Sequence, residues 1–171
     1  MRALVAYESM WGNTEAVARA VVEGLRGAAG SGDVQMWDVA ETGSQDLAAV
    51  GLLVVGGPTH AFSMSRASTR EDAVRKGAPV GHEGRGMREW LAGLTPRDDL
   101  AIATFDTKVT KVRRLPGSAA RKAASEIRRH RLGRVVDSET FYVEDMAGPL
   151  ADGELDRARS WGAELATVMV G

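Results

Sequence analysis

Arg2-Ala3-Leu4-Val5-Ala6-Tyr7-Glu8-Ser9-Met10-Trp11-Gly12-Asn13-Thr14 decides the fold. Arg2–Tyr7 is a short, continuous apolar run, the signature of a strand buried on both faces rather than on one. A polar turn follows. From Thr14 to Leu25 the apolar residues Val17, Ala18, Val21 and Leu25 recur at spacings of three and four, which predicts an amphipathic helix, with Gly27, Gly30 and Gly32 to end it. A buried strand turning directly into such a helix is the opening unit of an α/β protein.

The same unit recurs outward from there. Val34–Val39 reads as a second strand and Ser44–Ala49 as a short helix or turn. Leu52-Leu53-Val54-Val55 is the clearest buried strand, stopped by Gly56-Gly57-Pro58. The stretch 57–99 contains no strand, but Arg66–Lys76 and Met87–Leu94 have helical spacing. Leu100–Thr104 is a fourth strand, Ser118–Leu132 a helix with Ala120, Ala123, Ala124 and Ile127 inward, and Val135–Val143 a fifth strand. Asp152–Val168 closes the series with Leu155, Ala158, Trp161, Leu165 and Val168 on one stripe. Strands alternating with helices predict a doubly wound α/β fold: a five-stranded parallel sheet, order 2-1-3-4-5, with helices on both faces. With no repeat, linker or low-complexity tract, residues 1–171 are expected to form one domain. Such sheets bind ligands at the carboxyl ends of their strands, near the switch between strands 1 and 3. The loops after Tyr7, Val55 and Thr104 are therefore the ones to read.

Composition removes several function classes. The chain has no cysteine, which excludes disulfides, thiol nucleophiles and cysteine-held metals. Its histidines, His60, His82 and His130, lack metal-ligand spacing. No apolar run approaches the ~20 residues of a membrane span, and no signal peptide is legible, so a cytoplasmic location is expected. Net charge is −1, which gives no reason to expect a nucleic acid. That balance hides an asymmetry. Of 22 lysines and arginines, ten fall between Lys108 and Arg134, against one of the 23 acids. The segment reads either as a solvated face or as a docking patch for an acidic partner.

The first loop suits a phosphate. A strand-to-helix turn exposes unpaired N–H groups at the positive end of a helix. Ser9, Asn13 and Thr14 add short polar side chains, and Gly12 permits close backbone approach. The lysine of a Walker loop is absent, as is G-x-G-x-x-G. The same residues also suit plain N-capping by Asn13 or Thr14. The second loop, Gly57-Pro58-Thr59-His60-Ala61-Phe62, combines a rigid turn with an imidazole and a phenyl ring. That composition fits a flat heterocycle, or a structured turn with Phe62 tucked inward.

Tyr7-Glu8-Ser9-Met10-Trp11-Gly12-Asn13-Thr14 resembles the phosphate loop of flavodoxin-like proteins, and Gly57-Pro58-Thr59-His60 is similar to the second flavin loop of the NAD(P)H:quinone oxidoreductase branch. Gly57–Arg70, with Met64-Ser65-Arg66 and Thr69-Arg70, resembles an actinobacterial flavodoxin-domain subgroup. The resemblance implies FMN. Ser9, Met10, Trp11, Gly12, Asn13 and Thr14 would wrap its phosphate. Pro58, Thr59, His60, Ala61 and Phe62 would line the isoalloxazine. Thr104, Phe105, Asp106 and Thr107 would form a third loop at the pyrimidine edge, with Asp106 accepting the ring N–H or simply capping a turn. The sequence departs from the family at Trp11, where a threonine is usual, and in the third loop, which lacks a stacking tyrosine and runs on into basic residues. Lys108 or Lys111 would there stabilise anionic reduced flavin, worth ~2–3 kcal/mol at ~6 Å and an effective dielectric near 20.

Three functions follow from the resemblance. The first is an FMN-binding electron carrier serving a redox partner protein. The second is an FMN-dependent NAD(P)H:quinone oxidoreductase, with His60 bonding an oxygen of a small-molecule quinone. The third is a flavodoxin-fold module that has lost FMN and binds or regulates. A phosphoacceptor receiver is excluded, because Gly56-Gly57 stand where its aspartate is needed.

Overall fold

The computed structural model describes residues 2–28, 33–41 and 47–169. The strands are β1 (Arg2–Tyr7), β2 (Val34–Asp38), β3 (Val50–His60), β4 (Ser63–Met64), β5 (Ala101–Val109) and β6 (Arg134–Val143). The long strands run parallel in the order β2-β1-β3-β5-β6, while β4 folds back antiparallel on the end of β3. Counting only the long strands, this is the expected 2-1-3-4-5 order. The helices are α1 (Asn13–Ala28), α2 (Ala67–Arg75), α3 (Met87–Ala92), α4 (Ala119–Arg129) and α5 (Glu154–Leu165).

Side-chain alternation along the strands builds two cores. Ala3, Val5, Tyr7, Leu52, Val54, Ala103, Phe105 and Phe141 pack with Val17, Val21, Leu25, Ala158, Trp161 and Leu165 of α1 and α5. Leu4, Ala6, Leu53, Val55 and Ile102 pack on the other face with Trp90, Leu91, Ala123 and Ile127 of α3 and α4. Phe105, Phe141 and Trp161 meet edge-on, with ring centroids about 6 Å apart.

Two strands outrun their sequence limits. β3 continues through Gly56-Gly57-Pro58 to His60, and β5 through Thr104–Thr107 to Val109. The reason is steric. A Cβ on Gly56 would lie 2.0 Å from the Phe105 ring, so the bare glycine lets that ring lie flat over the sheet. Pro58 is tolerated because Gly56 O, on the same side of the strand, already accepts from Glu8 N–H where β1 ends. The missing Pro58 donor therefore faces no partner strand. α1 runs through Gly27 to Ala28, while Gly30 and Gly32 lie outside the described residues, as do residues 44–46 of the expected Ser44–Ala49 turn.

The long 57–99 segment is tied down by Arg70, which is fully buried. Its guanidinium donates to Ser65 Oγ (2.8 Å), to Glu83 O (2.8 Å) and to Glu89 Oε1 (3.1 Å). At the sheet edge, the outward-facing groups of β6 are also engaged. Tyr142 N–H donates to Glu154 Oε2 at 2.7 Å, Tyr142 O accepts from Ala151 N–H at 2.9 Å, and Thr140 O accepts from Arg157.

Candidate functional site

The carboxyl ends of β1, β3, β5 and β6 surround a cleft of about 400 Å³ that opens to solvent. Its walls are Ser9, Met10, Trp11, Asn13, Thr14, Pro58, Thr59, His60, Thr107, Val109, Val143 and Met146. Nine of these, Ser9 to Trp11, Asn13, Thr14, Pro58 to His60 and Thr107, are residues the sequence had nominated. Among the described residues, no carboxylate lines the cleft. The sequence reading missed Val109, Val143 and Met146. Val109 and Val143 belong to strand ends that proved longer or more convergent than their hydropathy showed, and Met146 follows β6.

The first loop holds itself open. Gly12 takes φ +88°, where a side chain is strained, and its N–H donates to Ser9 Oγ at 3.1 Å. Glu15 N–H donates to the same hydroxyl at 3.3 Å. Ser9 thus caps the turn from within while standing in the cleft wall. The amides of Asn13 and Thr14, in the first turn of α1, meet no acceptor among the described residues. Thr14 Oγ1 lies 2.8 Å from Thr107 Oγ1, joining the loop to β5. Trp11 packs by Met10, Ala73 and Ala78, and its buried indole N–H has no partner among the described residues.

The expected third loop is strand, and this corrects three nominated roles. Thr104 is fully buried and donates to Ser138 Oγ at 2.9 Å. Phe105 belongs to the aromatic core, 1% exposed, and lines no part of the cleft. Asp106 is fully buried on the α4 face, where its Oδ2 accepts from Thr59 Oγ1 (2.6 Å) and from Ala120 N–H (3.2 Å). It is a helix cap, the plainer of its two readings. Strand alternation explains the outcome: Thr107 and Val109 turn to the cleft, while Thr104, Asp106 and Lys108 turn to α4.

Lys108 is likewise corrected. It is 5% exposed, and its ammonium donates to Leu115 O (2.7 Å) and Gly117 O (3.0 Å), away from the cleft. Lys111 is exposed in the 3-10 turn Thr110–Val112 and does not line the cleft.

In the second loop, Ala61 (φ 48°) and Phe62 (φ 63°) form a left-handed pair between β3 and β4. Neither lines the cleft, and Phe62 is half exposed rather than tucked inward. Two non-glycine residues held there store backbone strain of roughly 1–2 kcal/mol each. His60 lies just before them, its Nδ1 3.2 Å from Thr69 Oγ1. Burial, seconded by the nearby Arg70 charge, lowers its imidazole to about 4, so the ring is neutral near pH 7.

The sequence also passed over Glu8. It is 1% exposed; its Oε2 accepts from Met87 N–H at 2.7 Å and its Oε1 has no partner among the described residues. Burial raises its carboxyl above the ordinary carboxylate range, against the pull of Ser65, Met87 N–H and Arg70. Arg66 and Arg70, which a spacing of four would set on one helix face, part company: Arg70 is internal and Arg66 exposed. Nothing in their spacing distinguishes the two. Among the described residues, no helix is long and apolar enough to cross a membrane.

The arrangement offers free amides at a positive helix end and a wall that mixes hydroxyls with apolar side chains. The family model described as Flavodoxin matches residues 5–77, the span that carries the first loop and the β3 end. No curated protein matches the sequence. Among solved structures, the chain is similar to a flavodoxin from the domain Archaea (21% identity, 99% of each chain, TM-score 0.65). It is also similar to oxidised Flavodoxin 1 from Bacillus cereus (13% identity, 98% of each chain, TM-score 0.69). A mutant of flavodoxin from Pseudomonas aeruginosa aligns over 100% of both chains at 13% identity and TM-score 0.65. At these identities the structures speak for the fold. With that fold shared from end to end, and a flavodoxin sequence pattern across its N-terminal part, the chain has a flavodoxin-like fold.

Proposed function

We propose that this chain binds FMN in the cleft and serves as an electron-transfer protein for a redox partner. The observation that carries the reading is the pair of unclaimed Asn13 and Thr14 amides opening into a cleft without a carboxylate. A phosphate monoester is the anion such a helix end recognises, and each charge-assisted bond contributes about 1.5–3 kcal/mol. Ser9 keeps the turn in shape, and Gly12 leaves its outer side clear of a side chain. Pro58, Thr59 and His60 form one wall for the flat ring, and Met10, Trp11, Val109, Val143 and Met146 supply apolar surface that excludes water. The Trp11 indole N–H is a donor in want of an acceptor, which a nucleotide oxygen supplies. Bound FMN supplies the electron-transfer chemistry; the protein sets its position and surroundings.

A second reading rests on His60. A neutral imidazole at the cleft wall is able to hydrogen-bond a quinone oxygen, which suits an NAD(P)H:quinone oxidoreductase. One series of measurements separates the readings. FMN titration of the purified protein, followed by flavin absorbance, should saturate, and Asn13→Pro, which removes one amide donor, should weaken binding at least tenfold. NAD(P)H oxidation on adding a quinone identifies the oxidoreductase. A protein without affinity for millimolar FMN overturns both and leaves the flavin-free module.

A further inference from the structure

A second concavity, of about 700 Å³, lies on the opposite face of β5, between the 110–117 loop, the start of α4 and β6. Its walls carry Lys108, Arg113, Arg114 and Arg121, with the hydroxyls of Thr140 and Tyr142, and no carboxylate. The cations there differ from a set elsewhere in the chain. Arg2, Arg19, Arg70, Arg97, Arg157 and Arg159 all pair with acids. The side chains of Arg113, Arg114 and Arg121 make no ion pair or hydrogen bond among the described residues. Lys108 is the decisive member. Its ammonium is buried, two of its three protons go to carbonyl oxygens, and no acid among the described residues pairs with it. Asp106, next on the same face, spends Oδ2 on Thr59 and Ala120, and its Oδ1 has no hydrogen-bond partner among the described residues, so it forms no ion pair with Lys108. A buried cation that forms no ion pair gains from an anion that arrives to complete it.

We propose that this pocket is a binding site for a small phosphorylated molecule, its phosphate held by the Lys108 ammonium and the guanidinium forks of Arg113, Arg114 and Arg121. Guanidinium groups match phosphate bidentately, and four cations around one hollow suit a multiply charged group better than a single carboxylate. The concavity favours a small molecule over the flat acidic face of a protein. The amides of the α4 start take no part, since Ala119, Ala120 and Arg121 N–H already donate to Thr59, Asp106 and Ser118. The site is independent of the FMN reading.

The test is a titration with sodium pyrophosphate at constant ionic strength, followed by backbone amide shifts. Saturable shifts are expected at residues 115–119 and 140–142. Arg113→Ala, Arg114→Ala and Arg121→Ala should each weaken the apparent Kd at least threefold, and Lys108→Met at least tenfold. Arg128→Ala and Arg131→Ala, at the far end of α4, should leave it unchanged. Should Lys108→Met not fold, the exposed arginine variants decide. Shifts confined to residues 10–14 would report the cleft alone and overturn the proposal, whereas pocket shifts survive even if FMN does not bind. Non-saturating shifts, equal losses in Arg128→Ala, or tighter binding of an oligoglutamate peptide would likewise overturn it.

Discussion

α1 and α4 both start at the carboxyl edge of the sheet, and their N-termini are treated in opposite ways. At α4 the chain fills the positive end itself: Thr59, Asp106 and Ser118 take the first three N–H groups. At α1 the serine turns inward to Gly12 and Glu15, and the two amides between them stay unclaimed. The backbone dipole is the same in each case. What differs is whether a strand end delivers an acid from within. β5 delivers Asp106 to α4, and only the hydroxyl of Thr107 to α1. An open helix end beside a closed one marks where an external anion is expected.

The contrast is broken most severely at Asp106. Asp106→Ala leaves Ala120 N–H buried and Thr59 without its acceptor, and should lower stability by about 3 kcal/mol. Calorimetry should show a fall in Tm of roughly 6–12 °C. A loss below about 1 kcal/mol, the worth of a single ordinary hydrogen bond, would mean that α4 does not need its internal acid.

The next effect is on pH. His60 titrates lower folded than unfolded, so its contribution holds above about pH 6.5 and is lost as pH falls towards about 4. With partial exposure this amounts to about 2–3 kcal/mol, seen as an acid-side decline in denaturant midpoint that His60→Asn should flatten. Glu8 acts in the other sense. Its raised carboxyl favours folding at low pH, and that contribution fades as pH rises through the elevated value. Glu8→Gln should flatten that decline and leave the His60 slope in place.

The smallest effect sharpens the open end. Thr14→Val keeps the shape but removes the bond to Thr107, and should cost about 1 kcal/mol. Pyrophosphate shifts at residues 10–14 should weaken while those at 115–119 stay put. Equal weakening at both would show that the two regions are not separate.

Elements packed as continuous apolar runs were legible in the sequence. β1, the core of β3 and the stripes of α1 and α5 declared themselves by period, except that Leu155 of the α5 stripe is exposed, and from them the sheet order followed. Strand ends were not legible. Gly56-Gly57-Pro58 reads as a stop, yet the glycine exists to admit Phe105, a partner 49 positions away. Thr104–Thr107 reads as a polar loop because its polar side chains are satisfied only by distant residues: Ser138, Thr59 and Thr14. The nominated cleft residues on the first two loops came partly from local turn chemistry, which a sequence carries openly, and partly from the resemblance to flavodoxin-like loops. The burial of Glu8, Arg70 and Lys108 was not legible, because a charged residue is ordinarily solvated and theirs depends on carbonyls and amides supplied by other segments.

The engagement of the β6 rim by Glu154 and Arg157 reaches beyond the fold. A sheet margin with bare amides and carbonyls is a template on which a foreign strand can crystallise. Here two side chains from the last helix stand in for that missing strand over the end of the border, at Thr140 and Tyr142, without any bulky shield.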